Sequence, residues 1–344
     1  MDYSSLLSKP FIIAEMSGNH NHSIDRAMAI IKAAAEAGAS AVKLQTYTPD
    51  TITVKGAYTI DDPQSLWYGR DLYDLYAEAY TPWEWHKQLF DYAQSLGIIC
   101  FSTPFDTSAV DFLESIGNPI YKIASFENTD HVLLNKVAQT GKPVIMSTGI
   151  ASCEDILESV NLLKNNGINS ITLLKCTSEY PAPPEDINLL SIPYLREQYK
   201  CPIGLSDHTL GIGVAIASIS LSVTVIEKHF TLNRADGGID SAFSVEPNEL
   251  KTIVEECNRA WLALGKADCK IGDNEKKSTI FKRSLYVVKD IKAGELLTEE
   301  NVRSIRPSLG LHTRYYKAIV GKKVANVDIK AGTPLSERLI KDGV

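Results

Sequence analysis

The chain has no Cys-x-x-Cys pair, no run of eighteen apolar residues and no excess of positive charge. Each absence excludes a class. Its six cysteines, Cys100, Cys153, Cys176, Cys201, Cys257 and Cys269, lie far apart, which excludes zinc ribbons and dithiol redox motifs and leaves reduced thiols. Cys100 and Cys176 fall inside apolar runs, where a free cysteine behaves as a small buried hydrophobe. Without a long apolar run there is no candidate transmembrane helix, and residues 1–10 carry no basic segment followed by an apolar one. These features predict a cytoplasmic protein with no membrane partner. With 35 Lys and Arg against 42 Asp and Glu, a net charge of −7, no nucleic-acid partner is expected, because clustered cations are what hold phosphate backbones.

A hydrophobic fraction of 44% with 22% charged residues over 344 residues suits a soluble protein with one large unit and one small one. From residue 11 to about 265, short apolar runs alternate with amphipathic stretches of helical period, which is the pattern of repeated β-α units. The strand candidates are 11–16, 41–46, 99–104, 119–125, 143–149, 170–177, 202–209 and 223–230, with clear helices such as 25–37 and 246–264. Eight units predict an α/β fold closed as a TIM (β/α)8 barrel over 1–265 rather than an open doubly wound sheet. A polar linker, 266–282, then leads to a small domain over 283–344. That domain repeats itself, "VVKDIKAGELLTEENV" from Val287 being echoed by "VANVDIKAGTPLSERLI" from Val324, the mark of a duplicated unit.

The predicted strands turn polar at their last residues: Glu15, Lys43, Gln45, Ser102, Thr103, Lys122, Ser125, Ser147, Thr177, Asp207, His208 and Glu227 to His229. In a barrel the C-terminal strand ends build the active site, so this ring describes a small-molecule site. The connection 47–81, rich in Tyr and Trp, is too long for an ordinary βα loop and reads as a lid or binding loop.

Two kinds of chemistry are written into that ring. His208 and His229 end neighbouring strands beside Asp207 and Glu227, so their imidazoles can converge on one divalent cation; an incomplete protein shell with oxygen donors leans toward Mn²⁺ or Mg²⁺. Lys122 with Thr103, Ser125, Ser147 and Ser206 sets hydroxyls around a cation, as a phosphate ester needs, although a solvated barrel mouth carries the same residue types. Glu15 and Glu127 suit acid-base work or the holding of substrate hydroxyls. His20 and His22 imitate the first metal motif of amidohydrolase barrels, but strands five and six end in Ser147-Thr148 and Cys176-Thr177 without histidine. We expect Asn19 to His22 to line the site or cap the helix starting near Ser23, and Trp83, Trp85 and His86 to pack an amphipathic helix.

The segments "IIAEMSGNHN", "AVKLQTYTPD", "FSTPFD", "YKIASFE", "IMSTGIA", "LLKCTSEYP", "IGLSDHT", "EKHFTL" and "RSLYVVKDIKAGELLTEENVRSIRP" resemble the sialic acid synthase family over essentially the whole chain. The resemblance implies a barrel followed by an antifreeze-like (SAF) domain, in a homodimer whose small domains are swapped over the partner's active site. It implies that His208 and His229 bind the metal, and that Lys43, Thr103, Lys122, Ser125, Ser147 and Ser206 hold phosphoenolpyruvate. Gln45 and Ser178 join the substrate contacts, Glu15, Glu127 and Asp240 face an amino sugar, and Arg306 reaches the neighbouring subunit's site. In the family the metal polarises an open-chain aldehyde, C3 of phosphoenolpyruvate attacks it, water adds at C2, and phosphate leaves with its bridging oxygen.

Within the family, "LWYGRDLYDLYAEAYTPWEWH" and "RPSLGLH" look most like the branch that makes pseudaminic acid from a 2,4-diacetamido-2,4,6-trideoxy-L-altrose. Ser178, where neuraminate synthases commonly carry Asn, and Tyr47 beside Gln45 point away from N-acetylmannosamine as acceptor. N-acetylneuraminate or legionaminate synthesis is the alternative within the family. A metal-dependent aldolase or hydrolase barrel is the more distant one, and a glycan- or ice-binding scaffold leaves the polar strand ends without a purpose.

Overall fold

Period-two alternation decides the interior of this molecule. In the computed structural model, which describes residues 7–343, eight strands close into a parallel barrel in sequence order. They are β1 Phe11–Glu15, β2 Ala41–Thr46, β3 Ile99–Pro104, β4 Tyr121–Ile123, β5 Val144–Ser147, β6 Ile171–Cys176, β7 Ile203–Ser206 and β8 Val225–His229. Inward positions alternate with positions under the helices. At the N-terminal end the inward residues Phe11, Ile13, Ala41, Phe101, Ile145 and Leu174 form a closed apolar plug. One or two inward steps further along, the barrel strands present Glu15, Lys43, Thr103, Lys122, Ser147 and Glu227, so the plug is the floor of a polar chamber.

The outward residues pack under crossover helices α1 Ile24–Glu36, α2 Trp83–Ser95, α3 Thr107–Ser115, α4 His131–Ala138, α5 Cys153–Asn165, α6 Ser191–Tyr199, α7 Gly213–Ile219 and α8 Pro247–Ala263. Helix α1 shows the logic: Ala27, Ile30, Ile31 and Ala34 recur at helical spacing and are buried, which joins the helix to the main core. Short polar caps end the βα loops, with Ser23 accepting Arg26 N–H and Asp106 accepting the N–H groups of Ser108 and Ala109. Such caps contribute about 1 kcal/mol each.

The long connection 47–81 is partly ordered into helices Pro49–Ile52 and Leu72–Ala79, with an antiparallel bridge between Thr59 and Asp71. It returns over the barrel mouth, where Trp67 Nε1 donates to Ile239 O at 3.3 Å.

A second unit begins at Lys266. Antiparallel strands β9 Ser284–Val287 and β10 Val302–Ile305 share a core with Ile291, Leu297, Ile329 and Leu335. The sequence echo becomes a reciprocal contact: Ile291 and Ile329 exchange backbone hydrogen bonds of 2.8 Å in both directions. Ala293 N–H reaches Asp328 while Ala331 N–H reaches Asp290, both at 2.9 Å. The stretch expected as a linker contains a helix, Asp273–Lys276, and a 3₁₀ turn, Lys277–Phe281. Its end is held to this unit, Ser308 N donating to Ile280 O at 2.9 Å. Among the described residues no helix is long and apolar enough to cross a membrane.

Candidate active site

The parallel register sets neighbouring inward side chains at one level. Glu15 pairs with Lys43 on one side and with His229 on the other, and Gln45 pairs with Thr103. Four charges therefore meet without solvent. Lys43 and Lys122 are 3% and 2% exposed. Lys43 Nζ lies 2.7 Å from Glu15 Oε2 and donates to Thr103 Oγ1 at 3.1 Å. Glu227 Oε1 stands between the lysines, 3.8 Å from Lys43 Nζ and 3.7 Å from Lys122 Nζ. Lys122 also donates to Ser147 Oγ at 2.7 Å. Burial opposes charge on every member. Against it, Lys122 and Lys43 hold the Glu227 carboxyl below its ordinary range, and burial raises that of Glu15 despite Lys43. Two cations sharing an internal counter-ion, ringed by hydroxyls, form a site able to take up a compact anion in exchange for Glu227.

The remaining hydroxyls cluster beside Lys122. Ser125 lies just past β4 in a 3₁₀ turn, Ser125–Glu127, and donates to Cys176 Sγ at 3.4 Å; Ser178 Oγ is 4.0 Å from the same sulfur. Gly149 keeps this corner open, since a Cβ there would fall 2.2 Å from Ser178 Oγ and 2.6 Å from Ser125 Oγ. Cys176 is free and buried, as the sequence reading expects, and the fold adds polar neighbours around its sulfur. Burial pushes its thiol up, but His208, Ser125 and Lys122 together draw it down to about 7. Cys100, in contrast, is buried with its thiol pushed well above the ordinary value, as expected of a structural residue.

The two histidines lie side by side, ring centroids 5.4 Å apart. His208 Nδ1 is 2.8 Å from Thr177 O, a contact that fixes Nδ1 as the protonated nitrogen and leaves the Nε2 lone pair available. His229 Nδ1 is buried with no hydrogen-bond partner among the described residues, its nearest acid being Asp240 Oδ2 at 3.6 Å. Burial, with His208 and the lysines beyond, holds the His229 imidazole well below its ordinary value, hence neutral. Burial opposes charge on His208, but Cys176 and Thr177 O together raise its imidazole above the ordinary value, so a divalent cation taking one nitrogen from each ring would bind here in competition with a proton on His208. No cluster of three or more His, Cys, Asp or Glu ligands is found among the described residues, so any cation held here relies on water or substrate for its other donors.

Asp240 hydrogen-bonds the Ser17 hydroxyl, and Gln45 Nε2 bridges Ser17 Oγ and Glu15 Oε1 at 3.1 and 2.9 Å. Ser17 has a φ of 47°, a left-handed conformation that aims its hydroxyl into the chamber. Glu127 is half-buried on the rim, beside a cavity of about 350 Å³ lined also by Thr51, Phe105 and Asp130. Burial raises its carboxyl to about 7, against the pull of Lys122.

Thus Glu15, Lys43, Gln45, Thr103, Lys122, Ser125, Glu127, Ser147, Ser178, Ser206, His208, His229 and Asp240 all lie at the C-terminal end of the barrel, Ser206 Oγ meeting both His208 Nε2 at 3.5 Å and Glu227 Oε1 at 3.4 Å. Arg306 lies in the second unit, exposed just beyond β10. Asn19 to His22 do not cap α1, and Asn21 and His22 line a cavity with Gly238 and Ile239. Asn19 ties Phe230 O to Ser244 Oγ, and His20 is buried against Thr81 and Trp85; Ser23 itself is the cap. His86 packs inside α2 as expected. Sequence reasoning missed Ser17, whose only signal is a backbone angle, and Tyr180 and Phe243, which form an aromatic wall with Trp67 of the long connection. Tyr180 lies 4.4 Å from the His208 ring, 5.3 Å from Phe243 and 6.1 Å from Trp67.

The chain matches the NeuB family over residues 30–269 and the SAF domain over residues 282–340. It is 44% identical over 332 residues to the pseudaminic acid synthase of Campylobacter jejuni, covering 96% of both chains. It is 38% identical to the N,N'-diacetyllegionaminic acid synthase of the same organism, covering 92% of this chain and 96% of that one. Among solved structures, an N-acetylneuraminic acid synthetase from Leptospira borgpetersenii superposes with a TM-score of 0.70 at 33% identity, over 79% of this chain and 90% of that one.

Proposed function

The chain belongs to the NeuB family, and from that premise we propose that it condenses phosphoenolpyruvate with 2,4-diacetamido-2,4,6-trideoxy-L-altrose, releasing phosphate and pseudaminic acid. The carrying observation is the difference within one organism: 44% identity to the pseudaminic acid synthase of Campylobacter jejuni against 38% to its N,N'-diacetyllegionaminic acid synthase.

The chamber supports this chemistry residue by residue. Lys43 and Lys122, with Thr103, Ser125, Ser147, Ser178 and Ser206, take the enol-phosphate anion and hold C3 toward the histidine side. His208 and His229 hold a divalent cation, Mn²⁺ or Mg²⁺, which when bound supplies Lewis-acid polarisation of the acceptor aldehyde. Glu15, Gln45 and Asp240 orient acceptor hydroxyls through the Ser17 bridge. Glu127, near half-protonation at neutral pH, exchanges a proton with the sugar or with the water that adds at C2. Collapse then breaks the C–O bond and releases phosphate with its bridging oxygen. Tyr180, Phe243 and Trp67 give the methyl and acetamido groups an apolar face. The proposal extends to a homodimer in which the planar, permanently charged Arg306 serves the partner's barrel, and to a cytoplasmic location, where phosphoenolpyruvate is made.

A phosphate-release assay over a panel of amino sugars tests the reading. The diacetamido-trideoxy sugar should give the highest kcat/KM, and ¹⁸O from the bridging position should appear in inorganic phosphate. Faster turnover of N-acetylmannosamine or of the legionaminic precursor overturns the acceptor assignment, and label retained in the sugar overturns C–O cleavage.

A further inference from the structure

Behind the two histidines lies a charge pair that the chemistry above does not use. Asp207 and Lys228 precede His208 and His229 in sequence, and alternation turns them outward, under the helix layer, while the imidazoles face the chamber. Lys228 Nζ is 2.9 Å from Asp207 Oδ2, with side-chain exposures of 1% and 0%. Each charge is fully engaged. Lys228 also donates to Thr209 O at 2.6 Å, while Asp207 Oδ1 accepts Thr209 N–H at 2.9 Å and the Thr209 hydroxyl at 2.7 Å.

Stability does not account for such a pair. Desolvating two charges offsets most of their attraction, and well-packed apolar replacements are often neutral or stabilising. Position does account for it. Strand β7 ends at Ser206, so His208 sits two residues past the last regular strand residue, whereas His229 is still paired with Glu15 inside the sheet. The turn carrying His208 is tied to β8 by Asp207 N–H on Glu227 O at 2.9 Å and by the Lys228 contacts to Asp207 and Thr209. Its other restraints come from the β6 side: Ala182 N–H on His208 O at 3.1 Å, Thr177 O on the ring nitrogen, and the Tyr180 ring.

We infer that the buried Asp207–Lys228 pair is a positioning device that locks the His208 turn to β8 and so sets the spacing of the two imidazoles for a divalent cation. The inference rests on the metal reading of His208 and His229 given above. Outer-shell groups that orient ligating histidines typically contribute 10- to 100-fold in metal affinity, and this pair acts one step further out, through the backbone of both histidines.

The test uses the full-length protein and Mn²⁺ binding read by the electron paramagnetic resonance of free Mn²⁺, with no turnover required. Asp207→Leu/Lys228→Met removes both charges and keeps apolar volume, but takes these partners from the buried Thr209 N–H, hydroxyl and carbonyl. In it, thermal stability should fall with the fold retained, phosphoenolpyruvate binding in chelator should change less than about twofold, and Mn²⁺ affinity should fall about 10-fold or more. A folded double variant with wild-type Mn²⁺ affinity overturns the inference. Thr209→Val keeps the charges and removes one hydrogen bond to Asp207, providing a milder variant should the double variant not fold. It should weaken Mn²⁺ binding in the same direction, and lower thermal stability with unchanged Mn²⁺ affinity also overturns the inference. His229→Ala separates the premises: Mn²⁺ binding equal to wild type in that variant removes the metal reading and the inference with it, whereas binding lost in His229→Ala but retained in the double variant removes the positioning role alone.

Discussion

Lys122 Nζ and Glu227 Oε1 lie 3.7 Å apart, the lysine on β4 and the carboxylate on β8, diametrically opposite in the order of strands around the barrel. They meet because both project inward above the apolar plug. Lys43 approaches the same oxygen at 3.8 Å, so the carboxylate occupies the position that a bound anion needs.

Glu227→Gln should therefore have opposite effects on the free and bound protein. Removing the counter-ion should destabilise the ligand-free protein by about 3 kcal/mol, the low end for breaking a buried pair because Lys43 retains Glu15. Phosphoenolpyruvate should restore more stability to the variant than to wild type. Calorimetric melting with and without ligand checks this, and an unchanged ligand-free melting temperature rejects the counter-ion role.

His208→Ala and His229→Ala should each abolish metal-dependent turnover while the far-ultraviolet spectrum stays native. His229 is the sharper case, since its buried Nδ1 has no hydrogen-bond partner to lose among the described residues. Wild-type metal content and activity in His229→Ala contradict the assignment.

Glu127 supplies a pH signature. Its carboxyl is raised from 4.5 to about 7 in the fold, so the folded state binds more protons than the unfolded one between those values. The associated stability is complete below the unfolded value and is lost as pH rises through about 7. Glu127→Gln should flatten this decline and remove a kcat/KM limb near 7. Denaturant unfolding at pH 5 and pH 8, with matching rate profiles, measures both; a variant as pH-dependent as wild type excludes Glu127 as the source.

Trp67 provides a test of acceptor choice. Contact with a single methyl group is worth about 1–3 kcal/mol, or roughly 10- to 200-fold in discrimination. Trp67→Ala should lower kcat/KM for the 6-deoxy acceptor more than for a 6-hydroxylated analogue, narrowing the ratio by no more than that range. Equal losses on both sugars indicate that Trp67 only closes the mouth through its bond to Ile239 O.

Arg306 is tested by complementation. Mixing Arg306→Ala with Lys122→Ala should restore part of the lost activity if the arginine serves the partner's barrel, since one site in a mixed dimer then contains both residues. Absence of recovery after proven subunit exchange assigns Arg306 to its own barrel.

Strand count, barrel closure and the polar ring were legible because alternation is a local property: apolar Phe11 and Ile13 followed two residues later by Glu15 already state which face and which level a side chain occupies. The histidine pair was legible for the same reason, each ending its own candidate strand. The burial of Cys176 was legible from its apolar neighbours Leu173 and Leu174, but its polar contact was not, because its side chain meets Ser125, 51 positions away. The role of Asn19 was misread because its partners, Phe230 and Ser244, lie more than two hundred residues along the chain.

By itself, then, the sequence determined the β-α units, the duplicated second unit and the inventory of inward polar groups, since period and register demand only neighbouring residues. Tertiary structure alone decided which of those groups share a partner. Closing the sheet sets Glu227 between Lys43 and Lys122, bridges Ser17 to Asp240 across 223 positions, and turns Asp207 and Lys228 away from the chamber that their neighbours line. The physical reason is that charge compensation depends on distances across the barrel, and those distances exist only once the eighth strand has paired with the first.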